Sequence, residues 1–155
     1  MARQVKNQGK PSVPKKANPG DKPAADDPDG HPSWRFESFD HYFPPSGGVA
    51  AVDQAVFQEI VETLRHCEQK PTSQMYQGWS KQKGAAVIYD ARSLNELPRD
   101  TKRRLDSRQL GDLEELIRIR AGGVRRRIFA WRGHGNVFNI IWWDPEHEVW
   151  PTQPD

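Results

Sequence analysis

Apolar side chains recur at Val52, Val56, Phe57, Ile60, Val61 and Leu64, three and four positions apart, with Asp53, Glu59, Glu62 and Arg65 between them. That spacing predicts an amphipathic helix, and Lys70-Pro71 ends it. Upstream, the aromatic stretch Trp34–Phe43 does not alternate cleanly, although Trp34, Phe36 and Tyr42 can share one strand face, and Pro44-Pro45-Ser46-Gly47-Gly48 punctuates the chain. Residues 71–84 read as polar loop apart from Met75, Tyr76 and Trp79, and Ala85–Tyr89 as a short buried strand. Ser93-Leu94-Asn95-Glu96 has capping-box spacing, but Pro98 follows too soon for one continuous helix. A second helical stretch is expected over 99–109, anchored by Leu105 and Leu110.

The C-terminal third reads as sheet. Leu116–Arg120 alternates with period two after Ile117, Ala121-Gly122-Gly123 suits a tight hairpin turn, and Val124–Arg132 is the returning strand. Gly133-His134-Gly135-Asn136 makes a second turn. Val137–Trp143 is almost continuously apolar, as expected of a central strand covered on both faces. Asp144-Pro145-Glu146 interrupts, and His147–Trp150 reads as a short final strand. A helix over 112–120 is the alternative, because Asp112-Leu113-Glu114-Glu115 also resembles a cap. The resulting expectation is an α+β fold, with a small antiparallel meander of three or four strands packed against two or three N-terminal helices.

Composition divides the chain in two. Residues 1–33 hold six of the 13 prolines and almost nothing large and apolar, so they read as a disordered leader, and 34–155 as a single domain. No apolar stretch follows the basic start MARQVKNQGK, and no run approaches the length of a membrane span, so neither a secretory signal nor a membrane anchor is expected. The single cysteine, Cys67, excludes an internal disulfide framework and a cysteine-rich zinc site. The expected setting is cytoplasmic.

The formal net charge of +2 conceals an uneven layout. Residues 1–20 carry five Lys/Arg and no acid, 99–132 carry eleven against five acids, and 133–155 carry four acids with no Lys or Arg. A polyanionic partner fits this asymmetry, and so does a merely solvated basic face. The leader is likewise either a phosphate-attracting arm or a solubilising tail.

Arg118, Arg120, Arg125, Arg126, Arg127 and Arg132 fall within fifteen residues that contain no acid, on two strands joined by a turn. Like charges facing each other across strands destabilise a sheet, and an external phosphate would remove that cost. The guanidinium fork suits phosphate oxygens, and Trp131 in the same strand offers a stacking surface. Alternatively, the arginines pair with Glu114, Glu115 or the acidic C-terminal segment. No two of the five histidines have helical metal-ligand spacing, and a metal site would need Asp40-His41 to meet Asp144 and His147. His147, flanked by Asp144 and Glu146, is an acid/base candidate, or else only a turn residue. Cys67 reads as buried packing.

The run Leu113–Arg120, a glycine turn and Val124–Trp131 resembles the heart of the RelE/HigB/ParE toxin superfamily, over about residues 110–150. The resemblance implies a RelE-like fold and a toxin of a toxin–antitoxin system. Its activity would be that of a metal-independent mRNA endonuclease, without cofactor, acting on RNA on or off the ribosome and opposed by a cognate antitoxin. It implies catalytic roles for Arg125, Arg127 and His147, and RNA contacts for Arg118, Arg120, Arg126, Trp131 and Arg132. The acidic ending departs from the basic ending usual in such toxins. A non-enzymatic bacterial or phage module that binds nucleic acid or protein through the same patch is the other reading. The segment Ile140–His147 is also similar to the ending of small uncharacterised prokaryotic proteins, and implies no activity.

Overall fold

The computed structural model of the protein describes residues 30–75, 88–122 and 125–151. Its elements run β1 (Ser33–Arg35), α1 (Gln54–Glu68), α2 (Thr72–Met75), β2 (Ile88–Ser93), α3 (Arg99–Ser107), β3 (Glu115–Arg120), β4 (Arg127–Arg132) and β5 (Val137–Asp144). The strands form one sheet in the order β1-β5-β4-β3-β2. The fold is α+β, and its centre, β3-β4-β5, is the expected antiparallel meander. Both flanks add to it: β2 pairs antiparallel with β3, and β1 pairs parallel with β5, which makes the sheet mixed and five-stranded.

The helix expected from the Val52–Leu64 spacing is α1. The Asp53 carboxylate caps it by accepting from Val56 N at 2.8 Å, while Arg65 and His66 lie in its last turn, where cations complement the helix dipole. Leu64 and Cys67 of α1 pack on one face of the sheet against Ile117, Ile119, Ile128, Ala130, Phe138, Ile140 and Trp143. On the other face, Leu105 of α3 and Leu94 and Leu97 ahead of it pack against Leu116, Phe129, Ile141 and Trp142. The sheet is thus the middle of three layers, which explains why β5 is apolar almost throughout.

One residue breaks the alternation of β5. Phe129 pairs with Trp142 and Ala130 with Ile140, so Ile141 is an extra residue. Ile141 and Trp142 consequently both belong to the α3-side core, while Trp143 returns to the α1 side.

Several expectations change. Residues 112–120 do not form a helix, because Glu115–Arg120 is strand β3. Ser93 caps only a single 3-10 turn, Leu94–Glu96, accepting from Asn95 N at 3.3 Å before Pro98 starts α3. The strand expected at 85–89 begins at Ile88; residues 76–87 lie outside the described residues. The last expected strand, His147–Trp150, is a turn. The buried Asp144 carboxylate takes the amides of Glu148 (2.9 Å) and Val149 (2.8 Å), which a strand would have offered to a neighbour. The domain also starts earlier than Trp34: the Gly30 carbonyl accepts from Thr72 N at 2.9 Å, and Ser33 N donates to Asn136 O at 2.9 Å. The remainder of the expected leader, residues 1–29, lies outside the described residues, as do 123–124 of the hairpin turn.

Candidate functional site

The six arginines of the β3–β4 hairpin separate into buried and exposed positions. Arg118 is only 3% exposed and Arg127 only 6%. Both alternate onto the α3 face with Leu116 and Phe129. Arg118 lies with its guanidinium carbon 5.7 Å from the Trp150 ring centroid, a cation–π contact. Arg127 stands opposite Arg120 on one side and Asp144 on the other, and its Nη1 donates to the Arg126 carbonyl at 2.8 Å. Like charge across the hairpin, as expected, is present in the pair Arg120 and Arg127, with an acid in register on the far side. Arg120 itself is half-buried.

The hairpin tip is different. Arg125 reaches Glu146 at 3.4 Å, with 71% of the arginine side chain and 55% of the glutamate exposed. Arg126 pairs with Glu59 of α1 from a side chain 44% exposed. At the opposite end of β4, Arg132 closes the 133–136 turn by donating to Gly135 O at 3.1 Å and Asn136 Oδ1 at 2.9 Å. It lies 5.6 Å from the Phe138 ring centroid. Trp131 is partly buried against the α3-side core. Arg132 and Trp131 thus sit away from the tip.

His147 lies in the turn that follows β5, at φ 66°, in the left-handed region. Its Nδ1 is 2.7 Å from the Trp150 carbonyl, and since a carbonyl only accepts, Nδ1 carries the proton and Nε2 is the basic nitrogen of the neutral ring. The turn is fixed from both sides. Thr101 of α3 donates its hydroxyl to Val149 O at 3.0 Å, and Ser46 N donates to the Glu148 carboxylate at 3.1 Å. Burial pushes the Asp144 carboxyl above the ordinary carboxylate range, against the amide hydrogen bonds from Glu148 and Val149 that pull it down. The fold thus brings Arg125, Arg127 and His147 to the same end of the sheet, with Glu146 beside Arg125.

A buried cluster on the α3 face was not legible as a site in the sequence. Asp40 is fully buried; Arg104 holds its two oxygens with a two-pronged pair of hydrogen bonds at 2.7 Å each. Trp142 Nε1 donates to Asp40 Oδ2 at 3.3 Å, and Arg108 Nη1 stands 3.8 Å from Oδ1. Burial alone would raise the Asp40 carboxyl; the Arg104 hydrogen bonds, with those from Tyr42 N and Trp142, hold it below its usual range. The available signal was an acid within the aromatic run Phe36–Phe43, since a carboxylate packed among rings needs a cation. The meeting of Asp40-His41 with Asp144 and His147 that a metal site would need does not follow from these contacts, because Asp40 is taken up by Arg104. Among the described residues, no group of three or more His, Cys, Asp or Glu is placed to hold a metal ion, and no helix is long and apolar enough to cross a membrane.

The fold and site define a three-layer α+β protein with a mixed five-stranded sheet and an arginine-bearing hairpin. Compared with family models, curated proteins and solved structures, the chain matches none. Its chemistry is carried by its own residues.

Proposed function

We propose that the chain is a non-enzymatic nucleic-acid-binding module of the cytoplasm that meets phosphates with the tip of its β3–β4 hairpin, through Arg125 and Arg126. The exposure of these two arginines carries the reading. Their carboxylate partners, Glu146 and Glu59, meet them at or near the surface. Exposed ion pairs contribute about 0–1 kcal/mol and weaken with salt. A phosphate, which accepts both arms of a guanidinium fork, replaces such a carboxylate readily. Two groups a phosphoryl-transfer site would use are otherwise engaged: Arg127 is buried and Asp144 holds the turn. The five basic residues within positions 1–20 add to the same attraction.

The test is the salt dependence of RNA affinity of the full chain against Arg125→Ala/Arg126→Ala. Loss of two phosphate contacts should flatten the log–log slope by roughly 1.4–1.8. An unchanged slope and affinity would remove the reading.

A second reading, a RelE-like mRNA endonuclease toxin whose antitoxin covers the hairpin, is favoured by one observation: Arg125, Arg127 and the basic Nε2 of His147 share one end of the sheet. His147→Asn tests it, because asparagine tolerates the left-handed backbone at 147 while removing the base. Growth arrest on expression that disappears in His147→Asn supports cleavage. Normal growth with the intact chain retires the toxin reading and leaves binding.

A further inference from the structure

On the face opposite the buried arginines, between α1 and the sheet, lies a cavity of about 250 Å³. Ile60 and Phe57 of α1 and Ile140 and Trp143 of β5 contribute to its walls, with Phe36 and Phe39 from the loop after β1. Among the described residues, no charged side chain lines it. Phe36 and Phe57 are 52% and 60% exposed, so large aromatic side chains form the open rim of this apolar space. Protein interiors are normally packed with few voids larger than a water molecule, and a space without polar partners suits water poorly.

The indole N–H of Trp143 is shut off from this space, so the walls offer a guest almost no polar group. A charged guest would lose its hydration to the same apolar walls without compensation. A wider hollow of about 520 Å³ shares Phe36, Phe57 and Val61 with this cavity but opens onto the charged or polar His31, Arg65 and Glu68.

The geometry points to the α1-side cavity as a binding site for a small, uncharged, apolar molecule. An apolar cavity of roughly 150 Å³ accommodates benzene, so this one suits about ten non-hydrogen atoms. The inference is independent of the hairpin and of nucleic-acid binding.

Three fluorinated probes of nearly equal size decide it, titrated into the full chain by fluorine NMR. The uncharged ketone 4-fluoroacetophenone should bind saturably and raise the thermal midpoint. The isosteric anion 4-fluorobenzoate should bind at least about tenfold more weakly, because its charge must be desolvated. The hydrocarbon 4-fluoro-α-methylstyrene, which replaces the carbonyl with a carbon–carbon double bond, should bind at least as well as the ketone, because the walls offer the ketone oxygen no partner. Ile60→Phe, which fills the cavity and leaves the lining of the charged hollow intact, should remove ketone binding. If the ketone fails to saturate, binds no better than the benzoate, or binds Ile60→Phe as it binds the parent chain, the site is refuted. If the filling variant does not fold, the ketone's effect on the parent chain's thermal midpoint decides by the same criterion. A ketone that binds more tightly than the hydrocarbon refutes the apolar character of the site.

Discussion

On the α1 face of the sheet, the buried cluster around Ile117, Ile119, Ile128, Phe138 and Trp143 contains no charged residue, whereas the α3 face buries Arg118, Arg127, Asp40 and Asp144 among aromatic rings. The same strands supply both faces, so the difference comes from parity along β3 and β4 and from what covers each side. Cover on the α1 side is one amphipathic helix; on the α3 side it is a short helix and a turn held by hydrogen bonds to side chains. Burial on the first face is held by apolar contact and on the second by directional pairs. Two failure modes follow: cavities on one side, orphaned charges on the other.

The largest effects should contrast these modes directly. Asp40→Ala removes the shared partner of Arg104 and Trp142, and should cost about 3 kcal/mol in urea unfolding, the low end for a broken buried pair because Arg104 retains some solvent. Leu64→Ala, 5% exposed on the opposite face, should cost a comparable 2–5 kcal/mol through the cavity it leaves. Their pH dependence separates them. Asp40 is held below its ordinary range, so its contribution is present above about pH 4 and is lost as pH falls through the folded-state value. The deficit of Asp40→Ala should therefore shrink below pH 4, while that of Leu64→Ala should not follow it. Matching pH profiles for the two variants would abolish the distinction between the faces.

A smaller effect is expected at Thr101, whose hydroxyl ties α3 to the 144–150 turn. Thr101→Val should cost about 1–3 kcal/mol, leaving the Val149 carbonyl unsatisfied, and should raise amide exchange at Glu148 and Val149. Cys67 sharpens the description of the other face as dry: burial pushes its thiol up to about 12, so alkylation by iodoacetamide at pH 8 should be slow in the native protein and fast in urea. The smallest change belongs to the hairpin tip, where Arg125→Ala should alter the urea midpoint by no more than about 0.5 kcal/mol. A larger loss would mean that the tip is part of the packed structure.

Elements governed by local spacing were legible in the sequence. The three- and four-residue recurrence gave α1, and the glycine turn between alternating segments gave β3 and β4. The continuous apolar run of β5 correctly announced cover on both faces. Long-range partners were not legible: Asp40 and Trp142 meet across 102 positions, and no local pattern reports that. Alternation also placed the arginines on strand faces without saying what lies above them, so Arg118 and Arg127 looked like surface charge. The final strand was misread for a related reason, since Asp144 sequesters within its own turn the amides that β-pairing requires.

Ile141 is the single odd count in the strand, and two adjacent tryptophans depend on it. Excising that residue would restore strict two-residue bookkeeping and send everything after it to the wrong layer: Trp142 would leave its carboxylate partner, and Asp144 would turn its back on the loop it organises. Length tolerance in β5 is therefore quantised, and an indel there is a change of side.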